Sequence, residues 1–291
     1  IGLGPHDIAF DDTRAYITGT GKSSDRAVVV KADAVAYSPL SKAVYAVDSA
    51  GAISIVGTET RIEAKPGITS LVFAPGGRWG FLTNPKENAV HVLDASTAKI
   101  VTTATEVGTH PDQIAFTDEF AYVRALGSDQ VKLIRLSSLA TDPEVSMATF
   151  PAGQLPPAAA KAESLAAAIV PAPEPKAVLV ANPADRTVYY YMEGMAAPMG
   201  NFTAKGRSPK AVLVLDRSLR ESEPSVFSIR TRVPAAGTYD VAFFMNEPRV
   251  VHCFELTVAA DPNAPRKAVK RVVKIEPLLE KKTIKAGEEW S

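Results

Sequence analysis

Short apolar runs recur along the first two thirds of the chain, and each is followed by a four-residue pattern of large, aliphatic and then smaller or polar side chains. The five copies of this pattern begin at Tyr16, Tyr45, Phe81, Tyr122 and Leu179, at spacings of 29, 36, 41 and 57 residues. In four copies a third run, rich in β-branched or aromatic residues, begins eight residues after the pattern starts. Such runs, separated by turn residues, predict antiparallel meanders of short strands.

The meander repeats predict an all-β protein containing a β-propeller. Residues 99–102 and 148–150 are candidates for a fourth strand, which would complete the four-stranded blade of that fold. A helical solenoid is excluded, because no long stripe with a period of 3.6 residues occurs. Five units are countable, and the sequence opens at Ile1 on the lead-in to a blade. We therefore expect the propeller to be incomplete at the N-terminus, with blades missing there or one supplied by a truncated segment.

The repeat resembles the YVTN-type β-propeller family. Residues 108–116, Gly-Thr-His-Pro-Asp-Gln-Ile-Ala-Phe, are similar to the lead-in of that family, and residues 81–84, Phe-Leu-Thr-Asn, give the best tetrapeptide match. The resemblance covers roughly residues 4–195 and is specific for architecture rather than activity. Relatives of this repeat include the haem-binding propeller of dissimilatory nitrite reductases, so the resemblance implies haem as one possible ligand.

The pattern changes after Met199 and indicates a second domain. Strands are predicted at 211–215, 226–233, 239–244 and 250–258, and residues 236–240 resemble the tyrosine corner of immunoglobulin-like sandwiches, with Tyr239 as the corner residue. The predicted organisation is a propeller over 1–200, an immunoglobulin-like β-sandwich over 201–260, and a linker with the start of a further β segment over 261–291. An alanine-rich stretch at 156–167, which starts with two prolines, predicts a short helical insertion between the fourth and fifth units.

Composition narrows the classes of partner. The 291 residues carry 32 basic and 32 acidic side chains, which argues against a nucleic-acid or anionic-membrane surface. No apolar run approaches the roughly 20 residues of a membrane-spanning helix. The first residue is Ile rather than Met, so a removed signal peptide is one reading, and Cys253, the only cysteine, leaves the redox compartment open.

Catalytic motifs are absent from the sequence, and no Cys-x-x-Cys-His run is present to attach a c-type haem. Two His-Asp pairs nevertheless precede the first strand of their units, where the resemblance places the mouth of the propeller channel. They are accompanied by an arginine at the third position of one motif, which could bind an anion or pair with an acidic neighbour. Turn capping by the aspartates is the alternative to haem or metal ligation. The predicted channel-mouth residues are His6, Asp7, His110, Asp112 and Arg124.

Three of the five methionines fall within eight residues, at Met192, Met195 and Met199. Thioethers are soft ligands suited to Cu(I), and the intervening Gly and Pro form a loop that could bring them together. His252 could supply a fourth ligand, although its neighbour Cys253 should point to the opposite face of the strand. The alternative is that adaptable Met side chains fill the junction between the two domains.

The sequence as a whole predicts an exported bacterial β-propeller, periplasmic or secreted, that acts as a non-enzymatic binding or scaffold module for a protein partner in the cell envelope. The alternative is a periplasmic redox or metal-binding protein with haem in the propeller or Cu(I) at the Met loop.

Overall fold

The computed structural model describes residues 7–141, 145–155, 166–214, 219–229, 236–245 and 249–259. The chain divides into two compact units, Ile1–Asp216 and Arg217–Ser291. His6, the insertion at 156–165 and the segment 261–291 lie outside the described residues. Apart from one short 3-10 helix, Leu136–Ala140, the regular structure of the described ranges is β-strand.

Four sheets of the first unit are antiparallel meanders of four strands each, in chain order within the sheet. We call them blades 2 to 5. Blade 2 consists of β4 (Ala34–Ser38), β5 (Ala43–Val47), β6 (Ala52–Ile55) and β7 (Arg61–Glu63). Blade 3 consists of β8 (Ser70–Phe73), β9 (Trp79–Asn84), β10 (Ala89–Asp94) and β11 (Lys99–Ala104). Blade 4 consists of β12 (Pro111–Phe116), β13 (Phe120–Ala125), β14 (Gln130–Arg135) and β15 (Met147–Pro151). Blade 5 consists of β16 (Ile169–Pro171), β17 (Ala177–Asn182), β18 (Thr187–Met192) and β19 (Gly200–Thr203).

Blade 1 departs from the predicted antiparallel meander. Its strands are β1 (Ile8–Phe10), β2 (Ala15–Thr18) and β3 (Ala27–Val30), and β3 runs parallel to β2. In blades 2 to 5 successive strands are antiparallel, so the fourth strand runs in the same direction as the second. β3 therefore has the direction of a fourth strand in the position of a third. The longer connection after this copy of the motif, eleven residues from motif to strand instead of eight, lets the chain return before β3 starts.

The first strands of the blades lie beside one another: β1 contacts β4, β4 contacts β8, β8 contacts β12, and β12 contacts β16. Between successive blades the facing side chains form four apolar cores. This arrangement of four-stranded sheets makes the first unit a partial β-propeller and confirms the predicted all-β fold class. A blade alone would expose both faces, so each blade depends on its neighbours for burial.

Strand alternation explains the first two positions of the repeated motif. In blade 3, Phe81 belongs to the core shared with blade 4, whereas Leu82 belongs to the core shared with blade 2. In blade 2, Tyr45 likewise faces blade 3 and Ala46 faces blade 1. Because successive side chains point to opposite faces, the pair can fill the cores on both sides of its own blade.

In blades 3 and 5 the asparagine at the fourth motif position joins the blade to the connection that enters it. In blade 5, Asn182 Nδ2 donates to the carbonyls of Ala152 and Gln154 at 2.7 and 2.8 Å, while its Oδ1 accepts from the backbone of Ala184 at 2.8 Å. In blade 3, the corresponding Asn84 donates to the carbonyl of Pro66 at 3.1 Å. An amide supplies both donors and acceptors, which explains why Asn suits this buried turn.

The second unit contains two described hairpins, β20 (Arg220–Glu223) with β21 (Val226–Ser228) and β22 (Gly237–Met245) with β23 (Val250–Val258). The strands predicted at 239–244 and 250–258 therefore form, whereas residues 211–214 form none. Tyr239 lies opposite Leu256 and is half-buried. The immunoglobulin-like sandwich, its tyrosine corner and the domain limits stay predictions, although the predicted limit at 200 falls within β19. No helix in the described ranges is long and apolar enough to cross a membrane.

Candidate functional site

The predicted channel-mouth aspartate Asp7 holds two blades together. Its Oδ2 accepts a hydrogen bond from the backbone N–H of Val35 in β4 at 2.9 Å, and its Oδ1 accepts from Ile8 at 2.9 Å. The backbone N–H of Asp7 also donates to Thr18 Oγ1 at 2.9 Å. The carboxylate is thus engaged at the entrance of β1 and across the junction between blades 1 and 2.

His110 occupies the turn before β12, with a positive φ of 59°. Its backbone N–H donates to Asn88 Oδ1 at 2.8 Å, and its side chain is half-buried. The turn therefore links blade 4 to the loop of blade 3. His6, the other predicted histidine, lies outside the described residues, so the structure does not place the pair together.

Asp112 and Arg124 form the polar centre of the junction between blades 4 and 5. Arg124 Nη1 lies 3.3 Å from Asp112 Oδ2 and 3.4 Å from Gln113 Oε1, and both charged side chains are largely buried. Gln113 in turn bonds the segment that enters blade 5, donating to the carbonyl of Ala166 at 3.0 Å and accepting from the N–H of Ala168 at 2.7 Å. Arg124 thus pairs with an acidic neighbour, which was one of its two predicted roles.

A shallow cleft, open to solvent, lies beside this ion pair, and the space that it encloses is about that of one water molecule. Its walls come from β13, β14 and β17, which belong to blades 4 and 5, and from the connections around them. The residues that line it are Arg124, Ala125, Ser128, Gln130, Val131, Ala152, Val180, Ala181, Asn182 and Pro183. None of these side chains is a histidine, cysteine, methionine or tyrosine, the residues that ligate haem iron, so this cleft does not fit haem.

The predicted Met site is a loop, residues 192–199, that connects β18 to β19, and we call it the methionine loop. Met192 is half-buried at the end of β18, whereas the side chains of Met195 and Met199 are 47% and 55% exposed. Because these two side chains face solvent, they do not fill a core within the propeller unit. The alternative, in which the methionines fill the junction between the two domains, stays a prediction.

Hydrogen bonds from β18 and from Lys176, the residue before β17, fix the backbone of this loop. The hydroxyl of Tyr191 donates to the carbonyl of Met195 at 2.9 Å, and the N–H of Met199 donates to the carbonyl of Tyr190 at 2.9 Å. The N–H of Glu193 donates to the carbonyl of Lys176 at 2.9 Å. The exposed methionines therefore lie on a loop whose backbone is hydrogen-bonded near its start, in its middle and at its end.

Glu193 anchors the same loop to blade 4. Its Oε1 accepts hydrogen bonds from the hydroxyls of Thr117 and of Tyr122, the latter at 3.1 Å. Burial raises the pKa of Tyr122, and the negative charge of Glu193 raises it further. This contact could not be predicted from the sequence, because Glu193 and Tyr122 are 71 positions apart and the repeated motif to which Tyr122 belongs does not include Glu193.

His252 and Cys253 lie in β23 of the second unit, opposite Phe243 and Ala242 respectively, and both are exposed. Consecutive strand residues project to opposite faces, as the sequence predicts. Within the described part of the chain, no group of three or more His, Cys, Asp or Glu side chains is arranged to hold a metal ion.

His91 is a buried polar residue that sequence reasoning missed. It lies in β10 with its side chain 3% exposed. Asn84 Nδ2, which can only donate, lies 3.4 Å from His91 Nε2, so Nε2 accepts and Nδ1 donates to Thr103 Oγ1 at 2.9 Å. Burial lowers the pKa of His91 below 6.5, although Glu87, 3.9 Å from Nε2, opposes the shift. His91 thus supports the motif residue Asn84.

Comparisons with known proteins assign no family to this chain. No protein-family model matches this chain, and no curated protein matches it. Among solved structures, the hydrazine synthase of Kuenenia stuttgartiensis has a TM-score of 0.46 and 13% identity, covering 63% of this chain and 51% of that one. The mitotic checkpoint complex has a TM-score of 0.46 and 9% identity, covering 61% and 51%. BamB from Moraxella catarrhalis has a TM-score of 0.45 and 14% identity, covering 60% and 50%.

The chain therefore spans about half the length of these three structures. At such identities and TM-scores the likeness carries no argument about activity, and neither the YVTN repeat nor an immunoglobulin-like domain is established by it.

Proposed function

We propose that this chain is an exported bacterial β-propeller protein that acts as a non-enzymatic binding or scaffold module for a protein partner in the cell envelope. The observation that carries the proposal is the methionine loop, whose exposed Met195 and Met199 are held on a fixed backbone. The periplasmic or secreted location is inferred from the family resemblance.

A fixed loop with exposed thioether side chains is suited to binding a protein. Association costs free energy for every loop that must be ordered, and here Tyr191, Glu193 and Lys176 order the loop beforehand. Methionine side chains are flexible and polarisable, so they adapt to an apolar partner surface. The fixed backbone and adaptable side chains together favour recognition.

The test is quantitative capture from an envelope extract by the full chain and three variants. Met195→Glu/Met199→Glu places charges on the loop and should lose the partner. Met195→Leu/Met199→Leu keeps apolar surface of similar volume and should retain it. Val101→Glu changes an apolar residue of β11 that is 44% exposed and serves as the matched control. Equal capture by all four proteins would contradict the proposal.

A second candidate function, Cu(I) binding, is favoured by the exposure of the same two thioethers to solvent. Met192, Met195 and Met199 would supply the soft donors. A Cu(I) competition titration should show uptake by the wild type and none by Met192→Leu/Met195→Leu/Met199→Leu. Because the leucine variants keep apolar contacts, a protein-binding loop would survive this change, whereas a copper site would not.

A further inference from the structure

We propose that the cleft between blades 4 and 5 is a carboxylate-binding site in which Arg124 contacts the ligand. The site lies apart from the methionine loop in its residues and its chemistry. The experiment that tests this site is therefore independent of the test of protein binding at the methionine loop.

Only one nitrogen of the Arg124 guanidinium, Nη1, contacts acceptors within the described ranges. Nη1 faces Asp112 and Gln113, as described above. Nε and Nη2 donate no hydrogen bond to any residue within the described ranges, although the side chain is only 13% exposed. The Nε and Nη2 groups of an arginine form a planar fork that matches the two oxygens of a carboxylate.

Two other polar side chains of the cleft, Ser128 and Gln130, have unused hydrogen-bond donors, and each already accepts a hydrogen bond. Ser128 Oγ accepts from the N–H of Gln130 at 3.1 Å, and Gln130 Oε1 accepts from Thr149 Oγ1 at 3.1 Å. Within the described chain, neither the Ser128 hydroxyl hydrogen nor the Gln130 amide group donates to another residue. Asn182 is fully engaged through both its amide nitrogen and its oxygen. The unused hydrogen-bonding groups of this cleft are therefore donors. They favour a ligand that only accepts hydrogen bonds.

Charge and shape restrict the ligand further. Asp112 neutralises part of the charge of Arg124, so the site favours a single carboxylate over a multiply charged anion. The enclosed part of the cleft has room for about one water molecule, so the carboxylate group alone enters it and the rest of the ligand stays in the open part. The ligand class is therefore a small organic acid or the carboxylate of a peptide, and acetate serves as the probe for the chemistry they share.

The experiment follows the Nε–H signal of Arg124 by NMR in the full chain, during titration with acetate up to about 100 mM at constant ionic strength, which holds screening fixed. A saturable shift with acetate, and none with the neutral isostere acetamide, is the expected result. Equal shifts with both compounds, or no saturable shift with acetate, would overturn the proposal.

Variants separate a planar fork from a simple positive charge. Acetate binding is then followed through the backbone signals of Ser128 and Gln130, which need no arginine side chain. Arg124→Gln should weaken it at least tenfold, and Arg124→Lys should recover only part of that loss. The matched control is Arg78→Gln, because Arg78 already donates through both Nε and Nη2 to Asp94 at 3.2 and 3.0 Å. This variant should bind acetate within twofold of the wild type, and a tenfold loss in it would contradict the site.

Discussion

Phe81 of blade 3 meets Phe116 of blade 4 with ring centroids 5.3 Å apart and ring planes at 62°. Tyr45 of blade 2 and Phe73 of blade 3 meet in the same way at 5.2 Å. In each pair the first motif residue of one blade touches the aromatic residue that ends the first strand of the next. This edge-on contact joins successive blades and gives the repeat its aromatic positions.

Phe10 ends the first strand of blade 1 and occupies the corresponding position, but it is 61% exposed. We expect Phe73→Ala to lower the free energy of unfolding by about 2 kcal/mol, because it removes a half-buried ring from a core. Phe10→Ala should change it by less than about 0.5 kcal/mol, as for surface substitutions. Chemical denaturation of both variants measures the two free energies of unfolding. Equal losses would contradict the exposure of the Phe10 ring.

Asn182→Asp should destabilise the entrance to blade 5 and make it pH-dependent. An aspartate retains the acceptor for Ala184 but loses both donors, so a carboxylate would face the carbonyls of Ala152 and Gln154. We expect a loss of about 2–3 kcal/mol at neutral pH, since buried charged groups without partners are costly. Stability should partly recover below pH 4, where the carboxyl is protonated and can donate again.

The control for this change is Asn201→Asp, at an exposed position of β19. It should alter the melting temperature little at any pH. If the two variants lose equal stability, the buried amide of Asn182 does not join the blade to its entering connection as described.

Glu193→Ala should loosen the methionine loop from blade 4. It leaves the buried hydroxyl of Tyr122 without its acceptor, and we expect a cost of about 1–3 kcal/mol. Hydrogen exchange should show faster exchange at the backbone N–H of Met199. Glu63→Ala, whose side chain is 85% exposed beside Arg61, is the control and should leave that exchange unchanged.

His91 predicts a loss of stability in mild acid. Burial lowers the pKa of His91 in the folded protein, so just below pH 6.5 the unfolded chain binds a proton that the folded chain does not bind. The contribution of His91 is therefore present above pH 6.5 and is lost as the pH falls below it. Glu87 and Lys65, which form an ion pair at 3.2 Å, are the charged groups facing this site.

The measurement is the free energy of unfolding between pH 8 and pH 5 for the wild type and His91→Gln. Gln preserves a polar side chain but does not titrate in this range. The wild type should show the steeper decline. Identical slopes would show that His91 takes up its proton equally well in both states.

Periodicity was sufficient to predict the blades, because alternation and the repeated motif depend on residues close together in sequence. The direction of β3 could not be predicted in the same way. It depends on the path of the chain between β2 and β3 and not on the composition of residues 27–30. Likewise, the sequence predicts that Asp7 is a turn residue, but its hydrogen bond with Val35 forms only when blades 1 and 2 pack together.

The candidate site shows the same division. Clustering marked Met195 and Met199, but nothing in the sequence distinguishes exposed from buried methionines, and the anchors Glu193 and Tyr122 come together only in the fold. Arg124 stood out as an unusual residue at the third motif position. Its spare donors became visible only when its partners Asp112 and Gln113 were placed.

Site-specific photo-crosslinking tests the proposed binding function most directly. A photoreactive phenylalanine analogue would replace Met195, Met199 or the control residue Val101, one at a time, in the full chain exposed to an envelope extract. The binding role predicts one shared protein adduct from positions 195 and 199 and none from 101. The same adducts from all three positions, or none from the two loop positions, would contradict the methionine loop as the binding surface.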